Sequence, residues 1–124
     1  MIHLDTGFLI RGLVPGTAQD RQIRRWLVSG ESLGMSAIAW TELLCGPLND
    51  EQRDLATRLI SSRLPFGERE GAVAAHLFNG TGRRRGSLAD CMIAATALGE
   101  EAVLATDNTA DFRRFETFGL RLAS

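Results

Sequence analysis

Ile2-His3-Leu4-Asp5-Thr6-Gly7-Phe8-Leu9-Ile10 decides how the rest of the chain is read. A short apolar run delivers an acid, and the acid opens a second apolar run. The pattern predicts a buried strand turning straight into a helix, with Asp5 at the junction. In an α/β sheet that junction lies at the C-terminal edge of the strands, where ligands collect. Asp is also a favoured helix N-cap, so capping alone accounts for Asp5 taken singly. The same arrangement recurs near the other end, where Ala102-Val103-Leu104-Ala105 leads into Thr106-Asp107.

Between these two units, strand and helix signals alternate. Pro15-Gly16 makes a turn and Thr17 caps a helix with Ile23, Trp26 and Leu27 on one face, closed by Gly30. Ser32-Leu33-Gly34-Met35 reads as a second strand, and Ser36 caps a helix that Gly46-Pro47 ends. In that helix Glu42 shares a face with Ile38 and Cys45, an apolar setting in which an arginine or a cation must neutralise it. Asp50 is expected to cap the following helix, and Leu64-Pro65-Phe66 to form a brief edge strand. A further helix runs from Glu68 to Asn79, with Gly80 as its cap and His76 as a packed helix residue. Ser87 is expected to cap a helix over Leu88 to Leu98 that is apolar all round and therefore buried. Ser87-x-x-Asp90 approximates a capping box, a structural reason for Asp90 that is compatible with a functional one. Leu120-Arg121-Leu122 adds a last edge strand. The alternation predicts a parallel α/β sheet with right-handed crossovers.

With 124 residues the chain is read as one domain over 1–124, able to bury roughly two-thirds of its unfolded surface. All fourteen basic residues are arginine, against fifteen acids, for a net charge of −1. Codon bias explains the imbalance, and its consequence is chemical: mechanisms that need an active-site lysine are excluded. Receiver domains and haloacid-dehalogenase-like phosphatases fall on that ground, and the phosphatases also need a second Asp where Gly7 stands. Cys45 and Cys91 form no C-x-x-C pair and read as small buried hydrophobes. With only His3 and His76 besides, no zinc-ligand spacing exists. No apolar run approaches the roughly 20 residues of a membrane helix. The start has no basic n-region, so the expectation is a cytoplasmic protein.

Asp5, Glu42, Asp90 and Asp107 thus stand in settings that point to one pocket, with Asp111 close behind. Two carboxylates about 4 Å apart repel by roughly 4 kcal/mol at an effective dielectric of 20. Such a cluster needs a counter-cation, and oxygen-only ligands suit Mg²⁺ or Mn²⁺. An acidic Mg²⁺ pocket fits phosphodiester hydrolysis, in which the ion polarises a phosphoryl oxygen and activates water. The loop Gly80-Thr81-Gly82-Arg83-Arg84-Arg85-Gly86 lacks the spacing of a phosphate-binding glycine loop. Because it enters the helix bearing Asp90, Arg83, Arg84 and Arg85 are candidates for holding an RNA backbone.

Leu4-Asp5-Thr6, Thr41-Glu42-Leu43, Leu88-Ala89-Asp90-Cys91-Met92-Ile93-Ala94-Ala95-Thr96-Ala97, and Ala105-Thr106-Asp107-Asn108 with Asp111-Phe112, in this order, resemble the PIN-domain nucleases. Length and order match the VapC-type toxins of bacterial toxin–antitoxin pairs. The resemblance implies a PIN-like α/β/α sandwich with a short parallel sheet flanked by helices. It implies a Mg²⁺- or Mn²⁺-dependent endoribonuclease, a homodimer, and a small VapB-like antitoxin as partner. Carried over, Asp5, Glu42 and Asp90 match the family's metal-site acids. Asp107 matches a position filled by Asp or Asn, and Asp111 a further acid of variable contribution. Gly7, where relatives often carry Ser or Asn, departs from the pattern and loosens hydrogen bonding around the pocket. A PIN-like RNA-binding or scaffold module without cleavage activity is the alternative, favoured by loss of acids, and all the expected acids are present. The metal site reads phosphate and not sugar, so DNA cleavage stays open. For an inhibitor, the apolar positions Trp26, Leu27, Trp40, Leu44 and Leu55 offer a groove if they are not core.

Overall fold

The computed structural model describes residues 1–123. Among these residues the sheet has five parallel strands: β1 (Ile2–Leu4), β2 (Leu33–Ser36), β3 (Ser62–Leu64), β4 (Val103–Ala105) and β5 (Arg121–Leu122), in the order β3-β2-β1-β4-β5. The register sets His3 beside Gly34 on one side and Leu104 on the other. β1 and β2 are buried along their whole length, as central parallel strands must be. The chain first winds from β1 to β2 and β3, then returns to the far side of β1 as β4. The order therefore reverses between β1 and β4, and a crevice opens there beyond the strand ends.

Around the sheet lie α1 (Thr6–Gly12), α2 (Ala18–Val28), α3 (Ala37–Leu44), α4 (Asp50–Leu59), α5 (Glu68–Gly80), α6 (Leu88–Gly99) and α7 (Thr109–Phe112), which runs into a 3-10 turn at Arg113–Phe118. With the parallel sheet they make the expected PIN-like α/β/α sandwich. Helix α1 packs on α2 and α3, and α6 on α5, α3, β2 and β4. Gly12 permits the first of these packings: a Cβ there would stand 2.4 Å from Ile23 Cδ1. The core centres on Leu4, Leu9, Met35, Leu43, Leu104 and Phe112, all 0% exposed. His3 is buried with neither ring nitrogen bonded among the described residues. Burial holds its pKa down at about 4, so the imidazole is neutral.

Several local expectations change. Asn49, not Asp50, caps α4: Gln52 N donates to Asn49 Oδ1 at 2.8 Å, and Asn49 N to Gln52 Oε1 at 3.2 Å. The glutamine three residues on makes asparagine the better cap and leaves Asp50 as the first helical residue. Ser87 makes no cap bond to α6, because its backbone (φ −95°, ψ −1°) is helical rather than extended. Its hydroxyl instead donates to the Arg84 carbonyl at 2.7 Å, which removes the capping-box account of Asp90. Strand β3 stops before Pro65. Gly80 lies inside α5, and Thr81 follows as the cap. Cys91 is buried but Cys45 is exposed. His76 is exposed, edge-on to Phe118 at 5.5 Å. Of the apolar positions considered for a groove, Trp26 stacks on Phe8 and Trp40 lies under Arg63, while Leu27 (42%) and Leu44 (40%) are exposed.

Candidate active site

Asp5 stands where the sheet order reverses. Its amide donates to the Ala105 carbonyl at 2.9 Å and so ties the ends of β1 and β4 together. Extended backbone (φ −74°, ψ 155°) lets the side chain cap α1, with Oδ1 accepting from Thr6 N at 2.9 Å. The other oxygen, Oδ2, accepts from the Thr106 hydroxyl at 2.9 Å. The capping and site readings of Asp5 therefore coincide. Burial raises its pKa; the Thr106 and Thr6 hydrogen bonds offset part of that, and the Asp107 charge adds to it.

Asp90 enters from the first turn of α6, and its pKa is raised from 3.8 to about 6. Burial is the main cause, followed by the charge of Asp5, with Asp111 and Glu42 adding to it. The opposing cation is Arg114, whose Nη2 lies 4.0 Å from Asp90 Oδ2. That arginine is itself largely buried, with its guanidinium 4.7 Å over the Phe115 ring.

Glu42 differs from its expected setting. It is exposed, as is Cys45, so the face it shares is not a buried apolar one. Its partner is neither an arginine nor a core group: the Thr6 hydroxyl, 3.0 Å from Glu42 Oε1, hinges α1 to α3 and also faces the Ala39 carbonyl at 3.1 Å.

The two later acids are paired with arginine. Asp107 accepts from Arg11 Nη1 at 2.5 Å and from Gln19 Nε2 at 2.9 Å. Asp111 faces Arg84 Nη1 at 3.4 Å. A cleft of about 390 Å³ gathers Asp5, Glu42, Asp90 and Asp107 with Thr6, Gly7, Arg11 and Asn108 on its walls. Asp111 does not line that cleft; it lines a smaller recess of about 70 Å³ with Arg84, Arg85, Asp90 and Arg114. Arg83 sits in a left-handed turn (φ 53°) and lines neither.

Sequence reading overlooks Arg11, Arg114, Thr6, Thr106 and Gln19. One signal is available: Arg11 follows Gly7 by four residues, which puts both on one face of α1. A Cβ at Gly7 would meet Arg11 Nη1 at 3.9 Å, an ordinary contact, which confirms that the two positions are neighbours on α1.

The donors in the cleft are carboxylate and hydroxyl oxygens, the set a hard divalent cation takes. Among the described residues no three or more acid, histidine or cysteine side chains stand close enough together to hold a metal ion as a group. An open site of this kind suits magnesium, which is commonly held by one or two carboxylates together with waters and substrate phosphates. The strained, mutually repelling Asp5 and Asp90 are the groups a cation relieves most.

A family model described as the PIN domain matches residues 2–117. Among solved structures, VapBC-1 from nontypeable Haemophilus influenzae is similar at 29% identity and a TM-score of 0.71, over 100% of this chain and 98% of that one. FitAcB from Neisseria gonorrhoeae is similar at 26% identity and a TM-score of 0.72, over 100% and 97%. VapBC2 from Rickettsia felis, bound to a DNA fragment from their promoter, shares the fold with a TM-score of 0.76 at 20% identity, over 99% and 98%. No curated protein matches. A match over residues 2–117, nearly the whole length, shows that the chain belongs to the PIN domain family.

Proposed function

We propose that this chain is a Mg²⁺- or Mn²⁺-dependent endoribonuclease that acts as the toxin of a toxin–antitoxin pair. The observation that carries the reading is the cleft itself: four carboxylates from four separate parts of the chain line one cleft where the parallel sheet reverses. Asp5 and Asp90 would hold the cation, with Asp107 and Glu42 lining the same cleft and Asp111 in the adjoining recess. When bound, the cation polarises a phosphoryl oxygen and lowers the pKa of water. The chain's own groups do the positioning. Thr106 and Thr6 fix the carboxylates of Asp5 and Glu42 by hydrogen bonds at 2.9 and 3.0 Å. Arg11 is placed to receive a phosphate oxygen in a charge-assisted hydrogen bond. Arg83, Arg84 and Arg85 supply positive charge along the approach to Asp90 for the RNA strand.

A small VapB-like antitoxin, a homodimeric state and a cytoplasmic location complete the reading. The antitoxin is supported by the similarity to VapBC and FitAcB; no helix among the described residues is long and apolar enough to cross a membrane. The exposed Leu27 and Leu44 are apolar footholds for an inhibitor helix, and the acids of the cleft suit an arginine at its tip. The test is expression of the chain alone and purification for an RNA cleavage assay. Growth arrest, relief by the Asp5→Asn variant, and cleavage abolished by chelation are expected. Undiminished cleavage after thorough chelation, or normal growth during soluble expression, overturns the reading.

A further inference from the structure

A second cavity, of about 260 Å³, adjoins the acidic cleft. Asp107 lines both, and Thr106, whose hydroxyl holds Asp5, lines the second. One wall of the cavity is apolar, formed by Phe8 and Trp26 with ring centroids 5.7 Å apart and planes at 29°. Gln19 and Gln22, on the same helix as Trp26, also line the cavity, and the amide of Gln19 is oriented by its 2.9 Å bond to Asp107 Oδ1. Among the described residues no arginine lines the cavity, so it offers nothing to a phosphate. Its volume lies below the roughly 300 Å³ at which pockets for drug-sized ligands begin, which suits one planar ring system and not a whole nucleotide.

We propose that this cavity is a nucleobase subsite, receiving the base next to the phosphodiester held in the acidic cleft. The proposal rests on the nuclease reading above and deepens it, since it makes cleavage selective for the nucleotide beside the cut. An aromatic surface beside the amides of Gln19 and Gln22 matches a base, which has apolar faces and a hydrogen-bonding edge. Continuity through Asp107 sets the spacing: phosphate on one side of that carboxylate, base on the other. Gln19 then reads the edge of the base while Trp26 and Phe8 supply the surface it lies against. The exposed Ala18 stands at the rim and limits the opening.

The experiment uses the full chain, an RNA oligonucleotide that it cleaves, and the same oligonucleotide made abasic at each position around the cut in turn. The Trp26 indole resonance, assigned through Trp26→Phe, reports occupancy without added cation. A shift of that resonance with the intact RNA is expected, along with a loss of affinity of roughly tenfold or more when one particular base is missing. Ala18→Leu narrows an exposed rim without entering the core, and is expected to change the ratio of cleavage between sequences. Gln19→Leu is expected to change which base is preferred. Equal binding of intact and abasic RNA, with the sequence profile unchanged in both variants, overturns the subsite while leaving the nuclease reading in place. A Trp26 shift seen only with an inhibitor peptide, and never with RNA, assigns the cavity to a protein partner and overturns it too. Absence of any RNA cleavage by the wild type removes the nuclease reading and the subsite with it.

Discussion

The inner and outer halves of the acidic site are built on opposite electrostatic terms. Asp107 and Asp111 each meet an arginine directly, Arg11 at 2.5 Å and Arg84 at 3.4 Å. The inner acids are more weakly paired: Asp5 accepts hydrogen bonds from Thr6 and Thr106 and meets no arginine among the described residues, and Asp90 has the Arg114 guanidinium only at 4.0 Å. Both inner acids have raised pKa values, with burial as the leading cause. The outer half is thus balanced within the chain, while the inner half is compensated only in part, by Arg114 beside Asp90. Such strain persists only where the surrounding fold over-determines it, here through strand ends and the first turns of α1 and α6. In the proposed reading the inner pair attracts the cation, and the outer pair exchanges its arginines for cation and substrate.

The largest expected consequence is in cleavage. Losing an inner acid removes stabilisation worth several kcal/mol, so Asp5→Asn or Asp90→Asn should lower the cleavage rate by about a hundredfold or more. Asp107→Asn, which keeps the hydrogen bond from Arg11, should lower it by about tenfold. Equal losses from the inner and outer substitutions erase the distinction.

Stability without cation should move the opposite way. The folded pKa of Asp90 lies near 6 against 3.8 unfolded, so between those pH values the native state keeps a proton that the unfolded state releases. Stability contributed by Asp90 therefore falls as pH rises through that window, and the full cost stands above pH 6. Asp90→Asn should stabilise the metal-free chain above about pH 6, by about 1 kcal/mol once solvent screening of this half-buried group is allowed for, and by nothing below the unfolded value. Chemical denaturation at several pH values measures this. A variant less stable than wild type on the alkaline side of the window contradicts the strained inner half.

Smallest is the effect of the arginine loop. Replacing Arg83, Arg84 and Arg85 with alanine should weaken RNA binding and reduce its salt slope by about one for each phosphate left without its arginine. Arg84 frees Asp111 when it leaves, so its share should exceed that of Arg83, which lines neither cavity. An unchanged slope assigns the loop to solvation.

Much of this is legible in the chain. Ile2-His3-Leu4-Asp5 and Val103-Leu104-Ala105-Thr106-Asp107 declare strand, junction and acid by local pattern, and both junctions fall on the crevice. What pattern does not show is reach. Arg114 returns to Asp90 because a 3-10 turn folds the chain back on α6, and Arg11 reaches Asp107 across a separation of 96 residues. Arginine side chains are long enough that sequence position says little about which acid they meet. Caps fail for a different reason: at Ser87 the residue type is right, but the preceding arginine turn sets its backbone.

The central claim is that the unbalanced inner carboxylates form the cation site. Mn²⁺ binding, followed by the loss of the free-ion electron paramagnetic resonance signal, tests it without reference to cleavage. Wild type should bind, Asp5→Asn and Asp90→Asn should bind about tenfold or more weakly, and Arg11→Gln should bind more tightly because Asp107 is released. Wild type and both inner variants taking up Mn²⁺ equally, or none of them taking it up, contradicts the account.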